Sequence, residues 1–565
     1  MLVTLITWVY ICFILISLGI VFHAITSKLL NPKSKVPASN LTVLIFNGYC
    51  LLVLICSYAY FKVNIGAYVQ LAISILSLFT LFIFRQIWRN ILNNLLNIIR
   101  SIKIWQWLSI ALAFVSIIAA VLTHPTNIDS GNYHVQSIQW ISNYHVVPGL
   151  GNLLPHLAFN QSSFLAEAFF SFSYWLNSPA RVLNGFMALV LIINAIVTFD
   201  LSDSRNNKLN LVHGIMVFFF LLQYRSWLSS PTPDIIIALM VYYSIYLIIQ
   251  RFINESDYNN STILISVFWV TITAVTVKLS AAFLPLLPLL LLFKYKSEIP
   301  LKKLLVLIVS IGMLTILPWM VRNVIYSGYL IFPFPKIDLF NFDWKVPAPL
   351  AETVKDGIHA FAIDPSMQVV DVMKLSTIER ISIWYNRSSF LNISLLIVIV
   401  FLQITYWGKI LIKNDFTPLQ KNLIVLSTLI FVNLIFWFLN APDFRFASPF
   451  IYMSLALAII ILLPQNVINN AVFSWVILLL GFVGLIRQVE VKNLVEYPLV
   501  AEPYKQPEVN LIQVNGFEIA IPKPNNSCWN YPVPCIPYGN PSFIELRGTD
   551  LQSGFRFKYP EKRKN

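Results

Sequence analysis

The sequence predicts an all-α polytopic membrane protein with a small β-containing domain at its C-terminus. Of its 565 residues, 57% are hydrophobic and only 11% are charged. A soluble protein of this size cannot hide so much apolar surface. Many segments also run for roughly 17 residues or more with few charges, which is enough to cross a hydrocarbon core about 30 Å thick.

These apolar segments predict roughly fourteen transmembrane helices, each with a length suited to a bilayer. The first, at 2–22, lacks the basic start and the small-residue cleavage site of a signal peptide, so we interpret it as a span. The predicted spans lie at roughly 2–22, 41–61, 65–84, 104–123, 182–199, 211–227, 234–250, 261–277, 280–294, 303–321, 391–408, 421–438, 446–464 and 472–487.

Basic residues in the short loops predict the orientation of these helices. The loops after the first and third spans are basic and contain no acidic residue, which is typical of cytoplasmic loops. The loop at Arg251 is only weakly predicted to be cytoplasmic, because the acidic residues Glu255 and Asp257 follow the arginine. The predicted cytoplasmic residues are Lys28, Lys33, Lys35, Arg85, Arg89, Arg100, Lys103, Arg205, Lys208, Lys294, Lys296, Lys302, Lys303, Lys409, Lys413 and Lys421.

Three parts of the chain follow from this pattern. Residues 1–103 form N-terminal transmembrane helices, 104–487 form a transmembrane core, and 488–565 form an exterior domain. Within the core, we expect residues 124–181 and 322–390 to be exterior loops. An even number of spans returns both termini to the exterior.

Two features characterise the C-terminal domain. Residues 511–521 contain two short apolar runs around Asn515-Gly516, a strong signal for a β-hairpin. Cys528 and Cys535 lie further on without the partners that a zinc site needs, so a disulfide in an oxidising compartment is the favoured interpretation.

The exterior loops carry the candidate chemistry. Asp129 stands with Tyr133 and His134 just where the chain leaves a span, before a stretch at 131–147 with aromatic residues at helical spacing. That helix, with its aromatic and polar faces, suits the membrane surface. The apolar stretch at 160–176 is shorter than a span and carries Glu167, so we expect a second surface helix or a re-entrant helix. Asp129 serves either as an N-cap or as a general base that takes a proton from an acceptor hydroxyl.

Asp234 opens another span, where a carboxylate is favoured by the helix dipole or orients an acceptor or a metal. Lys278 lies inside apolar sequence, where a lysine is costly without a function. We expect the chain to turn there between two spans.

Two exterior arginines complete the candidate site. Arg322, followed by Asn323, ends a span as either a snorkelling anchor or a ligand for phosphate oxygens. Asp443 and Arg445 either pair at a helix end or place Arg445 on the same phosphate.

Several function classes lose support. The formal charge of +14 does not indicate nucleic-acid binding, because the charges lie in short loops between apolar segments. No phosphate-binding or hydrolase motif of the usual kinds occurs. The spacing of the histidines matches no usual zinc pattern, so we assign no metal site. These histidines are His124, His134, His145 and His156.

Asp129 in the first large exterior loop and the two sequence runs Pro318-Trp-Met-Val-Arg-Asn323 and Ser327-Gly-Tyr-Leu-Ile-Phe-Pro333 resemble the GT-C superfamily of polytopic glycosyltransferases. The resemblance covers roughly residues 104–465 and points to a bacterial branch. It implies a hexosyl- or pentosyltransferase that uses a polyprenyl-phosphate-linked sugar, with Asp129 as base and exterior basic residues on the donor phosphate.

The resemblance also implies a setting and partners. The protein would lie in a bacterial inner membrane with its active site on the periplasmic side, as part of cell-envelope synthesis. Its acceptor would be a glycan, a lipid or a protein. No cofactor is required, although a divalent metal is possible.

Two alternatives stay open. A lipid-linked glycan polymerase or ligase would rely on Arg and His rather than on a carboxylate. A non-catalytic lipid or glycan transporter would place ionisable residues near broken helices.

Overall fold

The computed structural model describes residues 1–31, 40–176, 180–200, 207–254, 260–412, 416–468, 471–486, 491–524 and 526–558. Some of the predicted loop charges lie outside these described residues. They are Lys33, Lys35, Arg205, Glu255, Asp257 and Lys413.

The described chain is mostly helical, with a small β region near its C-terminus. The helices are α1 (Leu2–Leu30), α2 (Leu41–Ala59), α3 (Ala67–Ile83), α4 (Arg85–Ser101), α5 (Ile104–Val121), α6 (Val135–Asn143), α7 (Leu150–Leu153), α8 (Ser163–Phe170), α9 (Leu183–Thr198), α10 (Asn207–Tyr224), α11 (Pro233–Ile253), α12 (Asn260–Val277), α13 (Leu287–Tyr295), α14 (Leu301–Ser327), α15 (Ala348–Ile363), α16 (Val369–Lys374), α17 (Thr377–Arg387), α18 (Phe390–Ile412), α19 (Pro418–Asn440), α20 (Phe444–Leu462), α21 (Gln465–Ile468), α22 (Ala471–Ile486) and α23 (Lys492–Glu496). The strands are β1 (Val509–Val514), β2 (Phe517–Pro522), β3 (Ile544–Leu546) and β4 (Phe555–Phe557).

Within the described ranges, nine helices are long and apolar enough to cross a bilayer, and the bent pair α3–α4 brings the number to ten. The nine are α1, α2, α5, α11, α12, α14, α18, α19 and α20. Three shorter apolar helices lie at Leu183–Thr198, Leu279–Tyr295 and Trp475–Ile486. This set is compatible with a multi-pass membrane protein.

Helix α4 differs from the loop expected after the third span. It turns by 85° from α3 and carries Arg85, Arg89 and Arg100 among exposed apolar residues. Its inner face packs on the bundle, where Trp88 stacks on Phe13 at 5.9 Å. An amphipathic helix perpendicular to a span is the form that lies along a membrane surface.

The segments predicted to be exterior meet at one end of the helix bundle. This end, which we call the cap end, is defined by backbone and side-chain hydrogen bonds between distant loops. These are Ile65 N to Ile141 O, Thr126 Oγ1 to Ser226 O, Gly149 N to Ile325 O, Trp384 Nε1 to Pro442 O and Leu2 N to Pro498 O.

Segments predicted to be cytoplasmic meet at the opposite end. Lys303 Nζ donates to Leu30 O over 3.3 Å, and Lys103 lies 3.9 Å from Asp200. The predicted division of the loops into two groups therefore matches their placement at two separate ends.

Close helix packing in the bundle depends on glycine where α1 crosses α2. A Cβ added at Gly19 would lie 2.2 Å from Leu44 O, and one at Gly48 would lie 1.8 Å from Leu15 O. Small residues permit such an approach of two backbones in a membrane.

The predicted placement of the helix at 131–147 on the membrane surface was wrong, and so was the surface alternative for 160–176. The stretch at 131–147 forms a five-residue π-helix (Ser130–His134) and α6, which ends at Asn143 because Tyr144 is extended. Trp140 is completely buried, and every residue of α8 is buried too. The C-terminal domain covers α6 through contacts of Gln136 and Trp140, so the apolar face of α6 does not lie against lipid. The re-entrant alternative for 160–176 stays a prediction.

The C-terminal domain contains the predicted hairpin. Strands β1 and β2 pair antiparallel from Val509–Pro522 to Val514–Phe517. Asn515 and Gly516 have φ of 44° and 97°, the positive values that a two-residue hairpin turn requires. A disulfide joins Cys528 and Cys535, and β3 pairs with β4.

Candidate functional site

A cavity of about 940 Å³ lies at the cap end, between the helix bundle, the 328–389 loop and the C-terminal domain. It collects most of the residues that the sequence predicts for the site, from chain segments that are far apart. Those that line it are Asp129, Tyr133, His134, Asp234, Lys278, Asp443 and Arg445.

Asp129 precedes the π-helix, a form that frequently marks functional sites. Its backbone N–H donates to Asn127 Oδ1 over 2.9 Å, but its carboxylate makes no hydrogen bond to the helix N-terminus. Instead, Asp129 Oδ2 lies 3.4 Å from an Arg445 terminal nitrogen, and 31% of the side chain is exposed. The N-cap interpretation of Asp129 is therefore not realised, and the carboxylate faces the cavity.

Asp443 and Arg445 do pair at a helix end, as one interpretation expected. Asp443 Oδ1 accepts from Arg445 N over 3.0 Å and caps α20, while Asp443 Oδ2 lies 2.9 Å from Arg445 Nε. Arg445 thus contacts two carboxylates, those of Asp443 and Asp129, which fixes its guanidinium in the cavity wall.

A second ion pair joins Asp234 to Lys278. Thr232 caps α11, which leaves the Asp234 carboxylate for Lys278, the residue at which α12 ends in extended backbone. The ammonium also lies 3.6 Å from the centre of the Phe446 ring. Burial lowers the pKa of Lys278, and the Asp234 carboxylate opposes that shift. The expected turn at Lys278 is present.

Aromatic residues form the opposite wall. The Tyr133 ring lies 4.5 Å from His134 and 5.3 Å from His156, and the Tyr538 hydroxyl shares a 2.8 Å hydrogen bond with His156 Nδ1. Burial lowers the pKa of His134 to about 3 and that of His156 to about 4. Both imidazoles are therefore neutral near pH 7, so His134 is a polar wall of the cavity rather than a cation.

Arg322 and Asn323 are not brought into the cavity. Arg322 is buried behind it, where Nε donates to Asn160 Oδ1 over 2.9 Å and a terminal nitrogen donates to Ser162 Oγ over 3.1 Å. Asn323 Oδ1 accepts from the same Asn160. These contacts anchor α14 to the 155–163 segment, and the burial of Arg322 means that it does not snorkel. Its other terminal nitrogen is buried without a hydrogen-bond partner.

The structure adds cavity residues that the sequence did not single out. Arg380 and His359 come from the 328–389 loop, with Arg380 on α17 and His359 on α15, and their side chains lie 3.5 Å apart. No ion pair with Arg380 is found among the described residues, and its Nε is buried without a hydrogen-bond partner. The capping box at Ser376 and Glu379 could have predicted the start of α17 from the sequence. It could not have predicted that the Arg380 side chain points into the cavity.

The donor set does not fit a divalent metal. Asp129 and Asp234 each contact a cationic side chain, which would repel a metal ion at the same oxygens. Within the described ranges, no group of three or more His, Cys, Asp or Glu residues is placed to hold one. We derive no chemistry through a metal.

The fold and site define a mostly helical protein, compatible with a multi-pass membrane protein, that has a charged and aromatic cavity at one end of its helix bundle. The family described as "Domain of unknown function (DUF8201)" matches residues 1–452, and the chain belongs to that family. No curated protein and no solved structure matches the chain.

Proposed function

We propose that the protein is a glycosyltransferase that moves a sugar from a polyprenyl-phosphate donor to an acceptor hydroxyl in this cavity. The observation that carries the proposal is the convergence of two carboxylate–cation pairs, Asp129–Arg445 and Asp234–Lys278, in one large cavity. A site for this reaction needs a carboxylate to accept a proton and a cation to receive a phosphate. The two pairs supply carboxylates held in fixed positions, and Arg380 in the same cavity supplies a cation that has no carboxylate partner among the described residues.

In the proposed reaction, Asp129 accepts the proton of the acceptor hydroxyl as its oxygen bonds to the anomeric carbon. The bond from that carbon to the phosphate oxygen breaks, and polyprenyl phosphate leaves with the electron pair. Asp129 suits this role because its partly exposed carboxylate faces the cavity and caps no helix. Arg445, held by Asp443, fixes the orientation of that carboxylate.

We assign the donor phosphate to Arg380 rather than to Arg322. Arg445 and Lys278 are already engaged by carboxylates, whereas Arg380 has no carboxylate partner among the described residues. A guanidinium binds two phosphate oxygens at once. His359 Nδ1 shares a 2.8 Å hydrogen bond with Asn440 O, and its Nε2 faces Arg380, so His359 helps to orient the guanidinium.

The proposal includes the membrane arrangement. Fourteen crossings require α10 and the three shorter apolar helices to span together with the longer ones, at roughly the minimum length for a bilayer. The cap end then faces the exterior of a bacterial inner membrane, supported by the basic residues at the opposite end. The acceptor is a glycan, a lipid or a protein.

The test is the Asp129→Asn variant, assayed with labelled hexosyl and pentosyl polyprenyl phosphates in nanodiscs. Loss of a positioned base lowers transfer by roughly 10²–10⁴-fold, and folding is retained because the side chain makes no cap. Asp343→Asn is the matched control, since Asp343 pairs with Arg547 outside the cavity lining. Wild-type turnover in Asp129→Asn would remove the base from the proposal.

The Arg380–His359 contact favours one alternative, a glycan polymerase or ligase that relies on these two residues. For such an enzyme, Arg380→Ala abolishes turnover while Asp129→Asn retains it. The opposite ranking supports the carboxylate-dependent transferase.

The break in the apolar helix at Lys278 favours a second alternative, a lipid or glycan transporter. A transporter moves the labelled polyprenyl phosphate sugar across a proteoliposome membrane without forming a new glycosidic bond. Chromatographic detection of a transfer product therefore separates the two functions.

A further inference from the structure

A loop of the C-terminal domain lies directly on the π-helix that follows Asp129. Trp529 N donates to Gly131 O over 2.9 Å. Gln136 Nε2, one turn further along, donates to Trp529 O over 3.1 Å and to Tyr531 O over 2.8 Å. The backbone of the loop is therefore connected by hydrogen bonds to the π-helix at Gly131 and to the start of α6 at Gln136.

The contact is also tightly fitted. A Cβ added at Gly131 would lie 2.6 Å from the Trp529 ring and 2.7 Å from Ser527 Cβ. Ser527 Oγ donates over 2.7 Å to Oδ1 of Asn132, a residue that lines the cavity. Only glycine at position 131 leaves room for the loop, so the two segments hold each other in one position.

The loop owes its own shape to two constraints. The Cys528–Cys535 disulfide closes it, and both cysteines are fully buried. Its far end is tied to β2, where Ile536 N donates to Ala520 O over 3.0 Å and Ala520 N donates to Pro534 O over 3.1 Å. A closed loop anchored in this way loses little entropy when it binds the π-helix.

We propose that the disulfide-closed loop 527–535 is a positioning element of the site, which holds the π-helix and through it sets the position of Asp129 and Asn132. The importance of Asp129 rests on the proposed function, whereas the mechanical coupling does not. The loop lies beyond residues 1–452, so a part of the chain outside the family match completes the site.

The test is hydrogen exchange of the full-length protein in nanodiscs, which needs no substrate. In the Cys528→Ser, Cys535→Ser double variant, we expect amides of 130–136 to exchange at least about tenfold faster, because their covering loop opens. Amides of α11 should keep their wild-type rates. Lys523→Ala is the control, because it removes an exposed ion pair with Glu508 in the same domain. Wild-type exchange at 130–136 in the double variant would overturn the proposal.

A double-mutant cycle tests the direct contact. Gly131→Ala should accelerate exchange at 130–136, because its methyl group meets the Trp529 ring, and Trp529→Ala added to it should restore part of the protection by making room. Strictly additive effects would contradict direct coupling. If the cysteine variants fail to fold, dithiothreitol treatment of folded wild-type protein replaces them, with the same expected and contradicting outcomes.

A kinetic arm separates positioning from general stability. Once transfer is measurable, the loop variants should lower kcat by up to roughly a hundredfold, as a misplaced catalytic group does, with KM for the donor unchanged. Turnover equal to that of wild type in a variant with fast exchange at 130–136 would contradict the positioning of Asp129. Absence of transfer in the wild type would contradict the proposed function and leave the exchange result intact.

Discussion

Single residues of one type serve different purposes in this site. Asp443 caps a helix and pairs with Arg445, whereas Asp129 caps nothing and reaches the cavity. Both stand just before a helical segment, so the local sequence predicts an N-cap at either residue. The difference comes from Thr126–Ser226 and similar contacts that orient the Asp129 segment within the bundle.

The Lys278–Asp234 pair leads to a prediction at this scale. Asp234→Asn alone should destabilise the protein by about 1–3 kcal/mol, because it leaves the Lys278 ammonium, whose side chain is only 19% exposed, without its counter-ion. Adding Lys278→Met should restore much of that loss, since no uncompensated charge remains. Thermal unfolding in nanodiscs measures both changes.

The control is the ion pair between Lys345 and Asp338, whose carboxylate is exposed. The Lys345→Met, Asp338→Asn double variant removes it. That pair should contribute less than about 1 kcal/mol. A Lys278→Met, Asp234→Asn variant no more stable than Asp234→Asn alone would show that the pair is not a coupled buried unit.

At the scale of elements, α17 places two arginines in different surroundings. Arg380 points into the cavity, whereas Arg387 lies 3.9 Å from Asp364 and is not part of the cavity lining. The helix also exposes Ile378 at 80% and Tyr385 at 54%. Exposed apolar residues on a helix that also carries charged residues are typical of a helix at a membrane interface.

We therefore expect Arg380→Ala to weaken binding of a polyprenyl monophosphate by roughly ten- to a hundredfold, the loss of a charge-assisted contact worth about 1.5–3 kcal/mol. Arg387→Ala should leave the affinity unchanged. Fluorescent polyprenyl monophosphate titrated into nanodiscs provides the measurement, with the uncharged polyprenol as the ligand control. Equal affinities of the two alanine variants would remove Arg380 from the phosphate site.

For the whole molecule, the grouping of loops at two ends predicts which residues meet the exterior. Thr353 is exposed at the cap end, and Lys296 is exposed between two apolar helices of the opposite end. In intact cells, an impermeant maleimide should label Thr353→Cys and spare Lys296→Cys, which should react only after permeabilisation. The chain with its native cysteines is the control, because Cys50 and Cys56 are buried and Cys12 is half-buried. Labelling in the reverse order would invert the proposed orientation.

Hydropathy, charge and turn chemistry in the sequence already determined the mostly helical fold with apolar helices of bilayer length, the division of loops into two groups, the break at Lys278 and the Asn515-Gly516 hairpin. These are local properties, because a helix long enough for a bilayer must be apolar along its own length and a tight turn needs residues that adopt positive φ. The sequence also named Asp129, Asp234, Lys278 and Arg445, since ionisable residues at the ends of apolar segments are rarely without a function.

Only the tertiary structure decided which of these charges share a cavity. It buried Arg322 against Asn160, brought Arg380 in from a distant loop, and covered α6 with a C-terminal loop closed by a disulfide. Which partner a charged side chain contacts depends on packing between segments hundreds of residues apart. A local sequence pattern does not show which distant segments will be in contact. Burying a charge costs free energy unless the charge is paired or hydrogen-bonded. The fold, rather than the residue type, therefore decides which groups each charged side chain contacts.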